Sequence, residues 1–237
     1  MAIRLSARLD ESGRIADWRH DGWSYPHVGR PRPTGDGSAG FIAAWHLAQP
    51  FSQPERRQLL GAHFGSYRNA DPLYTFPRQI MDHFVAGSPL RTSSQRGLGA
   101  YANVFALESF MDELALAAGN DALAFRLAHL QDERARAVLQ AAADGAGWQP
   151  RPRPARDGRG RGLAFARYKN RACYAAVVAD VSVNLQSGDI RLEQALIAAD
   201  AGEIVNPDGL SNQLEGGLVQ AASWTLYEQV QFNAKGI

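Results

Sequence analysis

One cysteine, Cys173, stands in the 237 residues. A lone thiol excludes an internal disulfide framework and any cluster held by several cysteines. No apolar run is long enough to span a bilayer. Neither sign of charge is in excess: 25 Lys and Arg face 24 Asp and Glu, a formal net charge of +1. No global field therefore argues for nucleic acid or a membrane surface as a partner. The six histidines, His20, His27, His46, His63, His83 and His129, show no short-range ligand spacing, so none is assigned to a metal. A Gly-x-Ser-x-Gly elbow and a Walker-type phosphate loop are both missing, and no period of solenoid length recurs. Met1-Ala2-Ile3-Arg4-Leu5 leads straight into an alternating pattern, without the charged-then-apolar order of a secretory signal, and the compartment stays open.

The composition is that of an ordinary globular protein, 45% hydrophobic and 21% charged. Ile3, Leu5, Ala7 and Leu9 alternate with polar residues, which predicts a half-buried strand. Asp10 to Gly13 is a turn, and Arg14 to Trp23 returns as a second strand, in a sheet whose remaining strands are expected upstream. Pro26 to Gly40 reads as a loop, Phe41 to Leu47 as a short apolar segment, and Phe51 to Pro77 as an irregular excursion over a surface. Gln79 to Val85 is a candidate strand. Tyr101 to Ala118 is the clearest helix, with Val104, Phe105, Met111, Leu114, Ala115 and Ala118 as its apolar stripe and Gly119 as its stop. Asn120 or Asp121 caps a second helix, and Asp132 a third that ends near Gly145. Arg151 to Gly162 is a basic, Pro- and Gly-rich connector. The division this suggests is residues 1–150, a connector at 151–162, and 163–237. Beyond the connector, Leu163–Tyr168, Cys173–Asn184 and Ile190–Ala199 read as strands, with Cys173 a buried small hydrophobe.

Asp200 to Glu228 closes the reading. Asn206-Pro207-Asp208-Gly209 is a turn, and Asp208 or Ser211 is a candidate cap for the helix whose face is Leu210, Leu214, Leu218, Ala221, Ala222 and Leu226. Gly216 and Gly217 interrupt that helix at a cost of about 1 kcal/mol each relative to Ala. Close approach of a ligand, or of a second helix, would offset it. Gln213, one turn earlier, both donates and accepts hydrogen bonds. Arg96, Gly97, Leu98 and Gly99 form a second glycine-rich start to a helix, suited to an anion or oxo group, or else a tight turn with an exposed arginine.

The Asn206–Gly217 stretch resembles the Asn-Pro…Gln-x-Glu-Gly-Gly segment of the molybdenum hydroxylases, the xanthine dehydrogenase and aldehyde oxidase family. Leu90 to Tyr101 resembles that family's Arg-Gly-Phe-Gly segment. Asn103 to Ala115 is similar to the branch of isoquinoline 1-oxidoreductase, nicotinate dehydrogenase and bacterial aldehyde dehydrogenases, and the family resemblance runs through most of the chain, including Gly13 to Trp18. The resemblance implies an α+β fold, mixed sheets with packed helices, as a fragment of the molybdopterin-binding domain of a larger subunit. It implies hydroxylation of an aldehyde or N-heterocycle with oxygen from water, and a molybdenum–pterin cofactor in its cytosine dinucleotide form, carried by the full-length parent rather than by this piece. It also implies an iron–sulfur partner subunit. Arg96, Gly97, Leu98, Gly99, Gln213, Gly216 and Gly217 fall on the cofactor-binding motifs. Leu98 stands where the family carries a purine-stacking phenylalanine, without its aromatic face. The general-base glutamate would lie beyond the end of this chain, which leaves no catalytic residue to assign, and the isolated chain is expected to be inactive. The competing reading is a non-catalytic binding module, for nucleic acid through the Arg151–Arg171 run or for a protein partner. As a piece of a larger subunit, the chain is expected to self-associate through Trp18, Trp23, Phe64, Tyr67 and Tyr74.

Overall fold

A computed structural model describes residues 1–26, 41–51, 61–88, 90, 92–150 and 157–233. The expected loop at 27–40 and the first half of the basic connector, 151–156, lie outside these. Strand β1 (Ala2–Leu9) pairs antiparallel with β2 (Ile15–Ser24) across the turn at Asp10–Gly13. The alternation in β1 holds: Ile3, Leu5, Ala7 and Leu9 are half-buried and the residues between them exposed. The remaining strands of this sheet are expected upstream, but its third strand comes from downstream. It is β3 (Arg78–Phe84), laid parallel to β2. A parallel partner needs a long crossover, and the segment from residue 25 to 77 supplies it.

Helix α1 (Gly99–Ala117) is followed by α2 (Ala122–Ala128) and α3 (Glu133–Gly145). The caps fall where the sequence puts them. Asp121 accepts from the backbone N–H groups of Leu123 and Ala124, and Asp132 from those of Arg134 and Ala135. Gly119, at φ 68°, ends α1 in the left-handed conformation. The second sheet is an antiparallel meander, β4 (Arg159–Arg167), β5 (Tyr174–Val183) and β6 (Ile190–Asp200). Arg159 to Gly162, read as connector from composition, are the first residues of β4. Helix α4 (Pro207–Leu226) closes the order.

The larger of two clusters of buried side chains runs from Ile15 and Trp18 through Leu107, Met111, Phe125 and Leu139 to Phe165 and Val178, among the described residues. Trp18 is 0% exposed and packs between Phe76 and Phe110, with ring centroids 5.1 and 5.2 Å away. Trp18 and Tyr74 are therefore core residues, not the exposed apolar surface expected of them. Trp23 and Tyr67 are half-buried, and Phe64 is exposed. Phe105, placed on the buried stripe of α1, points outward at 61% exposure, while Leu107 takes the buried position. Asn103 and Glu108 share that buried face.

From Gly65 on, the irregular excursion does not run over a surface. Gly65, Ser66, Arg68, Asn69, Ala70, Tyr74 and Phe76 are all buried. Backbone buried outside regular structure needs partners for its carbonyls. Asn103 donates to the carbonyls of Ser66 and Arg68, at 2.6 and 3.0 Å, and Asn170 to that of Asp71. The excursion is thereby wedged between α1 and the turn that joins β4 to β5.

Candidate functional site

Residues 95–99 reach α1 through an unusual backbone. Gly97 has φ 83°, and Leu98 follows at φ 52°, a conformation that costs a non-glycine residue about 1–3 kcal/mol. Gly99 meets the opposite demand. A Cβ there would lie 2.5 Å from the Ser66 carbonyl oxygen and 2.7 Å from that of Gly65, so only glycine seats the loop against the buried excursion. Arg96, just before these residues, is exposed.

Helix α4 begins at Asn206, whose side chain accepts from the Gly209 N–H at 2.9 Å, with Pro207 in the first turn. The cap is thus neither Asp208 nor Ser211: proline fits the first helical position because its missing N–H has no partner to lose there. No residue of α4 is fully buried. Its predicted stripe, Leu210, Leu214, Leu218, Ala221, Ala222 and Leu226, is half-buried throughout.

The two glycine-rich segments meet through one side chain. The Arg96 Nη2 donates to the backbone carbonyl of Gln213 at 3.0 Å and to its Oε1 at 3.1 Å, and Nη1 reaches Gln220 Oε1 at 3.4 Å. The guanidinium lies across Gly217, where a Cβ would sit 3.5 Å from Nη2. Gly216 has no atom of the described residues within 4 Å of the corresponding position. Among the described residues neither glycine packs against a second helix, the simpler explanation for the pair. One turn further on, the Tyr101 hydroxyl lies 3.1 Å from Thr225 Oγ1, and its ring meets Trp224 edge-on at 5.0 Å.

All of Arg96's acceptors are neutral oxygens, and among the described residues it forms no ion pair. Its charge is left uncompensated at an exposed position. The Gln213 amide nitrogen likewise has no partner among those residues. Two clefts flank the bridge. One of about 330 Å³ is walled by Ala100, Val104, Ala175, Ala221 and Trp224. The other, of about 600 Å³, is lined by Arg96, Leu98, Tyr101, Trp224 and Tyr227. The arrangement offers a cation, amide donors and an uncovered helix backbone beside aromatic walls, which suits a planar polar ligand.

The structure thus brings Arg96, Gly97, Gln213 and Gly217 together, with Gly216 beside them. Leu98 faces the larger cleft, and Gly99 turns away to the excursion. Gln220, Tyr101 and Trp224 were not singled out from sequence. Gln220 follows Gln213 by seven residues, two helical turns, which puts both amides on one face. Cys173 is half-buried just before β5, with its Sγ 3.3 Å from the Tyr174 carbonyl, and burial pushes its thiol pKa up. In the Arg-rich run, Arg161 is paired with Asp180 and Arg167 with Asp132. These two arginines serve internal contacts and give the nucleic-acid reading no support.

A model described as the molybdopterin cofactor-binding domain matches residues 93–237, more than half of the chain and including both segments of the bridge. A nicotinate dehydrogenase subunit from Pseudomonas putida is 44% identical over 155 residues, which cover 60% of this chain and 13% of that protein. The beta subunit of isoquinoline 1-oxidoreductase from Brevundimonas diminuta is 32% identical over 189 residues, covering 76% of this chain and 24% of that protein. The chain therefore spans about a quarter or less of the length of these relatives. The solved aldehyde oxidoreductase from Desulfovibrio gigas aligns with 80% of this chain and 20% of its own, at 18% identity and a TM-score of 0.36, too low to add to the comparison. The extent of the domain match places the chain in the molybdopterin cofactor-binding domain family.

Proposed function

We propose that this chain is part of the cofactor-binding subunit of an oxidoreductase that hydroxylates an aldehyde or an N-heterocycle with oxygen from water. The proposed cofactor-binding residues are Arg96, Gly97, Leu98 and Gly99 of the loop, and Gln213, Gly216 and Gly217 of α4. The observation that carries this reading is the Arg96 bridge, which joins the two segments through an uncompensated cation and neutral oxygens alone.

The residues fit a pterin-type group on physical grounds. Its heterocyclic edge presents both donors and acceptors, which the Gln213 amide can match. The open surface over Gly216 lets a ring approach the helix backbone. The anionic part of such a group would compete with Gln213 for the Arg96 guanidinium, and a charge-assisted bond is the stronger of the two. When bound, the molybdenum–pterin group supplies the redox chemistry of the hydroxylation. The chain's own residues hold and orient it, and no catalytic residue is assigned among them. The cytosine dinucleotide form is the proposed cofactor. The relatives are named as subunits, which favours a multi-subunit enzyme; the proposed partner is an iron–sulfur electron-transfer subunit.

The test is pterin and molybdenum content in the cofactor-loaded protein carrying Gln213→Ala or Arg96→Gln. Leaving a polar cofactor group unpaired costs about 1–3 kcal/mol, so occupancy at limiting cofactor should fall severalfold or more while the unfolding midpoint is retained. Full occupancy in both variants would overturn the assignment.

A further inference from the structure

A second guanidinium without a carboxylate lies at the turn between β4 and β5. Arg68 is only 8% exposed. Its Nε donates to the His63 carbonyl at 3.0 Å and its Nη1 to the Tyr168 hydroxyl at 2.7 Å. The guanidinium carbon sits 5.4 Å from the Tyr168 ring centroid, and the Lys169 ammonium 5.6 Å from the same ring. Arg171, exposed, follows in the same turn. The His63 imidazole reports on this gathering. Burial lowers its pKa first, Asp71 opposes, and Arg171, Arg68 and Lys169 each lower it further.

The acids nearby are already engaged. Asp71, the acid that acts on His63, accepts from Arg78, and Asp132, at the start of α3, pairs with Arg167. Arg68 therefore meets only neutral oxygens, through Nε and Nη1, and its charge has no counter-ion among the described residues. Removing a cation from water without an opposite charge costs several kcal/mol. A fold that gathers Lys169 and Arg171 around such a cation adds repulsion rather than relieving it. An anion bound at this turn removes both penalties.

We infer that Arg68, Lys169 and Arg171 form a binding site for a phosphate group, with the Tyr168 hydroxyl beside it. Phosphate is favoured over a single carboxylate because its double charge and several acceptor oxygens match three cations, and because the Arg68 Nη2 has no partner among the described residues. Tyr168 and Asn69 also line the 330 Å³ cleft. The phosphate can thus be free, or be the end of a larger ligand that lies along the cleft. The inference does not depend on the proposed oxidoreductase function, and its test contains no molybdenum cofactor.

The 237-residue chain is titrated at low salt with inorganic phosphate and, separately, with cytidine monophosphate. The comparison is with a Lys169→Asn/Arg171→Gln double variant. Asn tolerates the left-handed conformation of residue 169, at φ 57°, so the fold should persist and the melting temperature serves as a control. Saturable phosphate binding is expected, weakened about tenfold or more in the variant and by added salt. Tighter binding of the nucleotide than of phosphate would assign the site to a ligand extending into the cleft, and equal affinity to free phosphate. Absence of saturable binding of either probe, or equal affinity in the wild type and a folded variant, would overturn the inference.

Discussion

Arg126 and Arg96 both join one element of the chain to another, and they do so in opposite ways. Arg126 is fully buried. Its Nε donates to Glu108 Oε2 at 2.9 Å, Nη1 to Asp112 at 2.6 Å, and Nη2 to the Glu108 carbonyl at 2.9 Å. Glu108 also accepts from the Tyr74 hydroxyl and the Phe165 N–H. Burial pushes its carboxyl pKa up, against the pull of Arg126 and these donors. Four parts of the fold, α1, α2, β4 and the excursion, are tied at that point. Arg96, by contrast, is exposed, meets only neutral oxygens among the described residues, and holds a helix with no fully buried residue. A buried charge with every partner present fixes architecture. An exposed charge with none of the opposite sign is left available to a ligand.

Removing each arginine should separate the two regions most widely. Arg126→Met would strand the Glu108 carboxylate in the core and cost about 3–5 kcal/mol. Arg96→Met should change stability by less than about 1 kcal/mol, since exposed contacts of this kind contribute little. Urea unfolding of both variants checks this, and equal losses would break the contrast. The glycines give the next largest separation. Gly99→Ala forces a methyl group against backbone oxygen at 2.5 Å and should destabilise by about 1–3 kcal/mol.

The third difference is in pH dependence. His129 accepts the Ile15 N–H at Nε2 and faces the Phe125 carbonyl through Nδ1, so the folded ring is neutral. Burial lowers its pKa below the usual 6.5, and burial does the same to His20. The stability this contributes is fully present above pH 6.5. It is lost as the pH falls from there through the folded-state value, because the unfolded chain takes up the proton first. Melting temperature followed from pH 8 to pH 5 should decline, and His129→Gln should flatten part of that decline. The same slope in the variant would show that His129 does not contribute. The smallest effect is expected at Gly216→Ala, where no atom opposes a methyl group: a gain of about 1 kcal/mol in the chain without cofactor. If the cofactor lies over α4, the same substitution should lower pterin content, so stability and occupancy would move in opposite directions.

Local signals are legible where local physics decides. The alternation in β1, the aspartate caps of α2 and α3 and the left-handed glycine after α1 each depend on a few neighbouring residues, and each stands in the structure as expected. Differences arise where distant segments compete for the interior. Trp18 and Tyr74 read as surface on the expectation that a piece of a larger subunit exposes its aromatics, yet Trp18 packs between Phe76 and Phe110, and the segment leading to Tyr74 is held in the interior by Asn103, which donates to the Ser66 and Arg68 carbonyls. Asn103 and Glu108 carry a signal that periodicity alone passes over, since polar residues on the 3.6-residue period of a buried stripe need buried partners. At the candidate site, the residue types and glycines of both motifs stand out individually. The roles of Gln220, Tyr101 and Trp224 do not, because amides and aromatics on a half-buried helix face match no pattern specific to a ligand.

The sequence by itself determined where most elements begin and end, and which two glycine-rich segments invite a polar ligand. Periodicity, capping and glycine conformations act over a few residues and leave their mark in composition and spacing. Only the tertiary structure decided that β3 lies parallel to β2, that residues 65–76 belong to the core, and that Arg96 reaches Gln213. Each of these is a choice among partners distant in the chain. Such a choice is made by whichever arrangement buries the most apolar surface while leaving the fewest polar groups unpaired.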